Sequence, residues 1–423
     1  MKIFIETYGC TYNKADSDSI RKVLSAKLPK AVFCASEAQA QVAIINSCSV
    51  KDATSSKILH KLSQLHSAGK KVVVCGCLAQ TSPELVRKAH PKAVVLGTYS
   101  LSRIADAVVA ASKGKPAEFL EKREGKTPLN PVIEGVVARI PIAQGCTGAC
   151  SYCSAKIARG ALQSRPPKEI LLACEKALKN GAKELQFTAQ DTGCYGFDLQ
   201  PNTDIAQLLE RVCEIPGAFR IRVGMMNPQH AKKIISPLLR AFGHEKVYKF
   251  LHVPVQSGSA KVLKGMRRQH SAKDFEDVVC AFREKFPEMT IATDIIVGFP
   301  TETGEDFLQT VDLVKRVRPT VCNVSKYSPR PGTDAAKLAQ LDNLVVKRRS
   351  EELSALCKTI SAENKSLFVG KRLRVLVAEK TKSGMVGRAD NYLSVVLPAG
   401  KKQAFGDFLE VKILESGQSH LKA

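Results

Sequence analysis

Three cysteines fall within eight residues in the stretch "GCTGACSYCSAKIARG", residues 145–160: Cys146, Cys150 and Cys153. A [4Fe–4S] cluster has four irons, each wanting a thiolate. A C-x3-C-x2-C array supplies three and leaves one iron with an exchangeable position. That iron can chelate an amino-carboxylate group and pass an electron into the molecule so held. Zinc is the competing occupant and needs a fourth ligand. No histidine lies between residues 91 and 229, and Cys174 sits in a helical pattern away from the loop. A zinc site here therefore needs a ligand distant in sequence.

A second set of thiols is dispersed. Cys10, Cys48 and Cys77 each close an apolar run, in "KIFIETYGC", "QVAIINSC" and "KKVVVCGC". Ligands of open parallel sheets collect at the carboxyl ends of the strands, so these cysteines can share one crevice. Cys75 competes with Cys77, but Cys75 belongs to the strand run itself, whereas Cys77 follows Gly76 at the strand exit. The chain has 14 cysteines. In a compartment that keeps thiols reduced, clustered ones favour metal ligation over disulfides, and the others are small buried hydrophobes.

The elements that position these thiols are legible in the periodicity. Up to residue 115, short apolar runs alternate with helical patterns ("SDSIRKVLSAKL", "TSSKILHKLSQLHSAG", "SPELVRKAH"), the rhythm of a parallel sheet with crossover helices. Residues 116–135 mix charge, Pro and Gly and read as a linker. From 136 to 365 the rhythm resumes in six runs: "VARIPIAQGC", "KELQFTAQD", "FRIRVGMMNP", "YKFLHVPVQSGS", "TIATDIIVGFP" and "TVCNVSKYSPRPG". Right-handed crossovers curl such strands into a partial (β/α)6 barrel of the TIM-like kind, with chemistry on the C-terminal face. The thiol triplet occupies the loop after the first of them. Residues 366–423 alternate without long helices, as a small antiparallel β-barrel does. They hold 10 Lys/Arg against 5 Asp/Glu.

The whole chain carries 64 Lys/Arg and 40 Asp/Glu over 423 residues, a net charge of +24. Such an excess favours a polyanionic partner. Trp is absent and aromatics are 6%, which weakens a stacking platform for long single strands. No apolar run approaches the ~20 residues that span a bilayer. The start reads as a first strand and not as a signal peptide, so a cytoplasmic protein with no membrane association is expected.

With Tyr152 preceding its third cysteine, the array after the first barrel strand resembles the radical S-adenosylmethionine superfamily. "TYGC", "NSCSV" and "CGCLAQ" resemble the N-terminal domain of the methylthiotransferases. "VPVQSGS", "LKGMRR", "TDIIVGFPTETGEDF" and "YSPRPGT" resemble their central domain, and "VGRADNYLSVVL" resembles the TRAM RNA-binding domain. The resemblance spans essentially the whole chain in the family's order. "RVGMMNP" (222–228) and "TAQDTGCYGFD" resemble the archaeal and eukaryotic branch that acts on N6-threonylcarbamoyladenosine in tRNA. Two departures stand out: Ser47 where Thr is usual, and His270 where Tyr is common.

The resemblance implies a transferase that converts N6-threonylcarbamoyladenosine beside the anticodon to its 2-methylthio derivative. The adenine C2 hydrogen is neither acidic nor attached to a leaving group, so a cofactor-borne radical route fits the chemistry. Two [4Fe–4S] clusters are implied, one on Cys146, Cys150 and Cys153 and an auxiliary one on Cys10, Cys48 and Cys77. Two S-adenosylmethionine molecules serve, one as radical source and one as methyl donor, with ferredoxin or flavodoxin as electron donor. Tyr152, Gln190, Asp191, Asp294 and Gly298 are the expected S-adenosylmethionine contacts, Gly298 by permitting close backbone approach. Arg159, Arg222 and Arg330 are candidates for phosphate or carboxylate groups. His252, at a strand end, reads as a satisfied buried histidine. The target base must be splayed out of its loop to be reached, and Lys371, Arg372, Arg388 and Asn391 are the expected RNA contacts. Rival readings are a methylthiotransferase for another tRNA adenosine or a ribosomal protein, and a non-catalytic iron–sulfur or zinc RNA-binding protein.

Overall fold

The computed structural model describes residues 1–50, 52–121, 129, 131–381, 384–398 and 403–423. The first ~120 residues build a six-stranded, wholly parallel sheet. Its strands are β1 (Lys2–Thr7), β2 (Val32–Phe33), β3 (Val42–Ser47), β4 (Lys71–Gly76), β5 (Val94–Leu96) and β6 (Glu118–Phe119), in the order β2-β1-β3-β4-β5-β6. β3 is buried at every position and β4 at all but the first. Both therefore read as continuous apolar runs, as central parallel strands covered on two faces must. Helices α1 (Thr11–Lys27), α2 (Asp52–Ser67), α3 (Cys77–Thr81), α4 (Pro83–Ala89) and α5 (Ile104–Ser112) cover those faces.

β6 lies inside the segment expected to be a linker. It pairs with β5 through Val95 and Glu118 and closes the sheet edge. The mixed composition concealed a strand of only two residues, too short to show a period. Residues 122–128 and 130 of that segment lie outside the described residues.

The chain then enters the barrel. A short hairpin of β7 (Ile133–Glu134) leads into β8 (Val137–Pro141), and β9 (Ala143–Gln144) pairs with β10 (Gln163–Ser164) across the thiol loop. Parallel strands β8, β11 (Glu184–Thr188) and β12 (Arg220–Val223) form one sheet; β13 (Phe250–His252), β14 (Thr290–Val297) and β15 (Val321–Lys326) form the next. A parallel bridge between Ile221 and Val247 joins the two into one open barrel of six strands. Outward positions such as Leu185, Phe187, Ile221, Ile291 and Ile295 pack into a single core with the surrounding helices. Two of those helices, Ala272–Lys285 and Gly304–Val317, start on reciprocal capping boxes at Ser271 and Thr303.

Side chains alternate along strands, so the positions between those core residues face the barrel lumen. Register aligns Arg139, Gln186 and Arg222 across β8, β11 and β12, and aligns Asp294 with Asn323 across β14 and β15. The lumen is therefore polar while the outer face is apolar.

The C-terminal strands are β16 (Arg372–Thr381), β17 (Gly384–Ala389), β18 (Ser394–Val396), β19 (Phe408–Lys412), β20 (Glu415–Ser416) and β21 (Leu421–Lys422). They form a curled sheet ordered β19-β16-β17-β18-β21-β20. It is antiparallel except that β18 and β21 run parallel, a pairing that alternation along the sequence does not reveal. Tyr392, in the left-handed backbone region, inserts its ring against Tyr248 and Phe250 at the base of the barrel.

Candidate active site

The loop after β8 brings the Cys146 and Cys150 thiols around Gly148. That glycine donates its N–H to Cys146 Sγ at 3.2 Å. A Cβ added there would lie 3.4 Å from Cys146 Sγ and 3.8 Å from Cys150 Sγ. The cradle is lined by sulfur, and its donor set fits an iron–sulfur cluster. Cys153 caps the N-terminus of α6 (Ser154–Arg159). Burial pushes its thiol up to about 11. Cys146 moves the other way: the neighbouring Cys194 thiol holds it down, to about 7.

Cys194 is a residue that sequence reasoning left without a role. It lies 48 positions from Cys146, yet the Cys146, Asp191 and Cys194 ligand atoms lie within 4.8 Å of one another. Arg268, the last residue of "LKGMRR", carries no role legible from its motif. It reaches Cys150 Sγ at 3.6 Å while donating to Asn227 Oδ1 at 2.6 Å and the Pro254 carbonyl at 3.0 Å.

The second triplet converges as the parallel sheet requires. Cys10 ends the loop after β1, Cys48 follows β3, and Cys77 opens α3 after β4. Cys10 Sγ and Cys77 Sγ lie 3.6 and 3.9 Å from Asn13 Oδ1. A Cβ on Gly9 would stand 3.0 Å from Cys48 Sγ. Asn13 is fixed by donating to the Tyr8 and Ser47 carbonyls at 3.0 and 2.8 Å. The donor set again fits an iron–sulfur cluster. Cys75 is buried in the apolar core of the sheet, with Val73 and Leu96. Burial pushes the Cys77 thiol up to about 11, against the pull of the nearby Arg159 guanidinium.

The triplets face one another across the domain junction. Ser49 and Ser154, each next to a cysteine, hydrogen-bond Oγ to Oγ at 3.2 Å. Arg159, at the end of α6, ion-pairs with Asp16 of α1 and stacks over Tyr12, 4.6 Å from its ring centre. Arg330 adds a third tie, to Asp52 at 3.2 Å and the Val50 carbonyl at 2.9 Å. Two of the three candidate arginines thus meet carboxylates of this chain, not of a ligand.

The expected S-adenosylmethionine contacts fall in different environments. Gln190 Oε1 accepts from Gly145 N at 2.7 Å, tying the end of β11 to the thiol loop. Asp294 faces the lumen, accepting from Asn323 Nδ2 at 2.8 Å and lying 2.9 Å from His252 Nε2. His252 is thus partnered, as expected, but in the lumen and not in the core. Tyr152 packs its ring against Val262, Met266, Phe299 and Ala335.

Asp191 and Gly298 both have close neighbours within the chain. Asp191 is fully buried, and its carboxylate is taken up by Gly193 N (2.9 Å), Asn227 N (3.1 Å), Asn227 Nδ2 (2.6 Å) and His230 Nδ1 (2.7 Å). It braces the strand-end loops behind Cys146. Gly298 has φ +77° and its close neighbour is Val346, whose Cγ2 stands 2.5 Å from a Cβ placed there. The positive φ and the close approach of the helix carrying Val346 both favour glycine here.

Two of the four expected RNA contacts also have partners within the chain. Arg388 turns inward, ion-pairing with Glu184 and Glu379 and stacking 4.9 Å from the Tyr392 ring centre. Asn391 is buried, its Oδ1 accepting from Leu393 N at 3.2 Å in a tight turn. Lys371 and Arg372 stand on the surface, with Lys371 2.6 Å from Glu288.

Open barrel and thiol loop together define a radical S-adenosylmethionine domain, and the Radical SAM superfamily model matches residues 140–314. The Uncharacterized protein family UPF0004 model matches residues 2–97 and the TRAM domain model residues 366–423. A probable threonylcarbamoyladenosine tRNA methylthiotransferase of Archaeoglobus fulgidus is 42% identical over 426 residues, covering 100% of this chain and 98% of its own. The human threonylcarbamoyladenosine tRNA methylthiotransferase is 35% identical, over 100% of this chain and 73% of its own. This chain belongs to the threonylcarbamoyladenosine tRNA methylthiotransferase family. A radical S-adenosylmethionine methyltransferase from Kitasatospora setae, TsrM, shares the fold at 15% identity, with a TM-score of 0.57 over 79% of this chain and 73% of its own.

Proposed function

We propose that this protein converts N6-threonylcarbamoyladenosine next to the anticodon of tRNA to its 2-methylthio derivative. The observation that carries the reading is the pairing of two three-thiol cradles across one junction, in a chain 35–42% identical to relatives bearing that name. Cys146, Cys150 and Cys153 would hold one [4Fe–4S] cluster, and Cys10, Cys48 and Cys77 a second. When bound, the clusters and S-adenosylmethionine supply one-electron chemistry, sulfur and a methyl group.

The chain's own residues hold these parts in place. Asp191, braced by Asn227 and His230, fixes the loop behind Cys146. Arg268 reaches Cys150 and ties it to the same Asn227. Asp294, with His252, presents a carboxylate into the lumen, where an S-adenosylmethionine polar group would be received, with Gln190 and Tyr152 shaping the loop around it. Lys371 and Arg372 are left as the surface cations suited to an RNA backbone.

The division we propose is an N-terminal cluster domain (1–115), a radical domain (136–365) and an RNA-gripping domain (366–423), acting in the cytoplasm with a ferredoxin or flavodoxin as electron donor. Among the described residues, no helix is long and apolar enough to cross a membrane. Mass spectrometry of tRNA nucleosides from cells with and without the protein tests the reading. The 2-methylthio derivative of threonylcarbamoyladenosine should vanish without it, and its persistence overturns the assignment.

A further inference from the structure

A cleft of about 500 Å³ opens where α1, the barrel strands β8, β11 and β12, and the C-terminal sheet meet. Its walls carry five cations (Lys14, Arg139, Arg222, Lys380, Arg388) and two carboxylates, Glu134 and Glu379. Both carboxylates are already engaged, Glu134 by Arg139 and Glu379 by Arg388. Arg139 has Asp18 as well, at 3.2 Å, and Arg388 has Glu184 at 3.3 Å. Even Arg220, two residues from Arg222 on the same strand, is paired with Asp390 at 2.8 Å.

Arg222 differs. Among the described residues no carboxylate meets it, and its Nε is buried without a hydrogen-bond partner. Its guanidinium is held over two aromatic faces, 5.2 Å from the Phe250 ring centre and 5.7 Å from that of Tyr392. Stacking fixes the plane of the fork and leaves its N–H edge for an acceptor. The cleft begins at Thr11, the residue after Cys10, and reaches the lumen at Gln186.

We infer that Arg222 binds the carboxylate of the N6-threonylcarbamoyl group and thereby selects the modified base over unmodified adenosine. This rests on the function proposed above. A planar guanidinium is the natural partner of a carboxylate, which it grips with two parallel hydrogen bonds. The volume lies in the range of small-ligand sites. A carboxylate brought into this cation-rich cleft meets one arginine whose charge is not already neutralised.

The test varies the ligand as well as the protein. Anticodon stem-loop RNAs carry adenosine, N6-threonylcarbamoyladenosine, or the methyl ester of the latter, which removes only the negative charge. Wild type should bind the acid about ten- to a hundredfold more tightly than the ester. Arg222→Gln should bind acid and ester alike, and Arg222→Lys should recover part of the difference. Equal binding of acid and ester by wild type, with both preferred over adenosine, overturns this inference and leaves the substrate assignment standing. No preference for either over adenosine overturns the substrate assignment too. If Arg222→Gln weakens all three RNAs equally, the arginine grips backbone phosphate, and the inference fails. Retention of the acid preference in Arg222→Gln defeats it as well.

Discussion

Ser49 and Ser154 hydrogen-bond to each other at 3.2 Å, and each is the immediate neighbour of a cysteine, Cys48 in one domain and Cys153 in the other. Ser154 also donates to the Ser49 carbonyl at 3.1 Å. These short contacts, together with the Arg159 and Arg330 ties, fix the two thiol cradles in mutual position. Transfer of a group from one cradle to a substrate at the other requires such a fixed separation.

The same junction rests on the buried pair of Arg159 and Asp16, whose side chains are 1% and 9% exposed. Replacing Asp16 by Ala leaves a guanidinium charge buried and unpaired. We expect a loss of about 3–5 kcal/mol, read as a lower midpoint in chemical denaturation. A double change of Arg159→Met with Asp16→Leu should recover much of it, because neither charge then remains.

The two cradles draw on different domains, so their occupancy should separate. Cys150→Ala is expected to lose about half the iron of the reconstituted protein and all cleavage of S-adenosylmethionine, with four-iron clusters counted as one per cradle. Cys48→Ala should lose the other half while still cleaving S-adenosylmethionine. Anaerobic reconstitution with iron analysis decides it; loss of all iron in either variant means that the sites do not form independently.

Gly298 combines φ +77° with Val346 Cγ2 at 2.5 Å from any added Cβ. Gly298→Ala should cost about 2–4 kcal/mol from backbone strain and overpacking together. Val346→Ala in the same chain removes the clash but not the strain. The double variant should therefore be less destabilised than the sum of the two single changes, by about 1–3 kcal/mol, a difference that a denaturation cycle measures directly.

His270 is buried, 3.2 Å from the Val255 carbonyl, and burial, reinforced by the Arg268 charge, pushes its imidazole down to about 4. The unfolded chain takes up that proton near 6.5. The contribution is thus complete above about pH 6.5 and is lost as the pH falls toward 4, where the folded chain begins to protonate as well. At about pH 5 the loss amounts to up to about 2 kcal/mol relative to pH 7.5. His270→Gln should flatten that part of the profile, as denaturation midpoints at the two pH values will show.

Much of this protein was written locally. The apolar runs that become β3 and β4, the six barrel strands and the exit position of Cys77 after Gly76 follow from period, burial and turn chemistry, which act over a few residues. The thiol spacing of the 145–160 loop is itself a local property, and it suffices to propose a three-thiolate site. What the sequence could not decide were the partnerships between distant residues. Cys194 beside Cys146, Asn13 amid Cys10, Cys48 and Cys77, and Val346 against Gly298 arise only when helices and strands close on each other. Charge shows the same limit. Arg159, Arg222, Arg330 and Arg388 are alike in a sequence, since a guanidinium carries the same charge everywhere. Only packing assigns Asp16, Asp52 and Glu379 to three of them and leaves Arg222 facing a cleft, because pairing depends on which carboxylate the fold brings within reach.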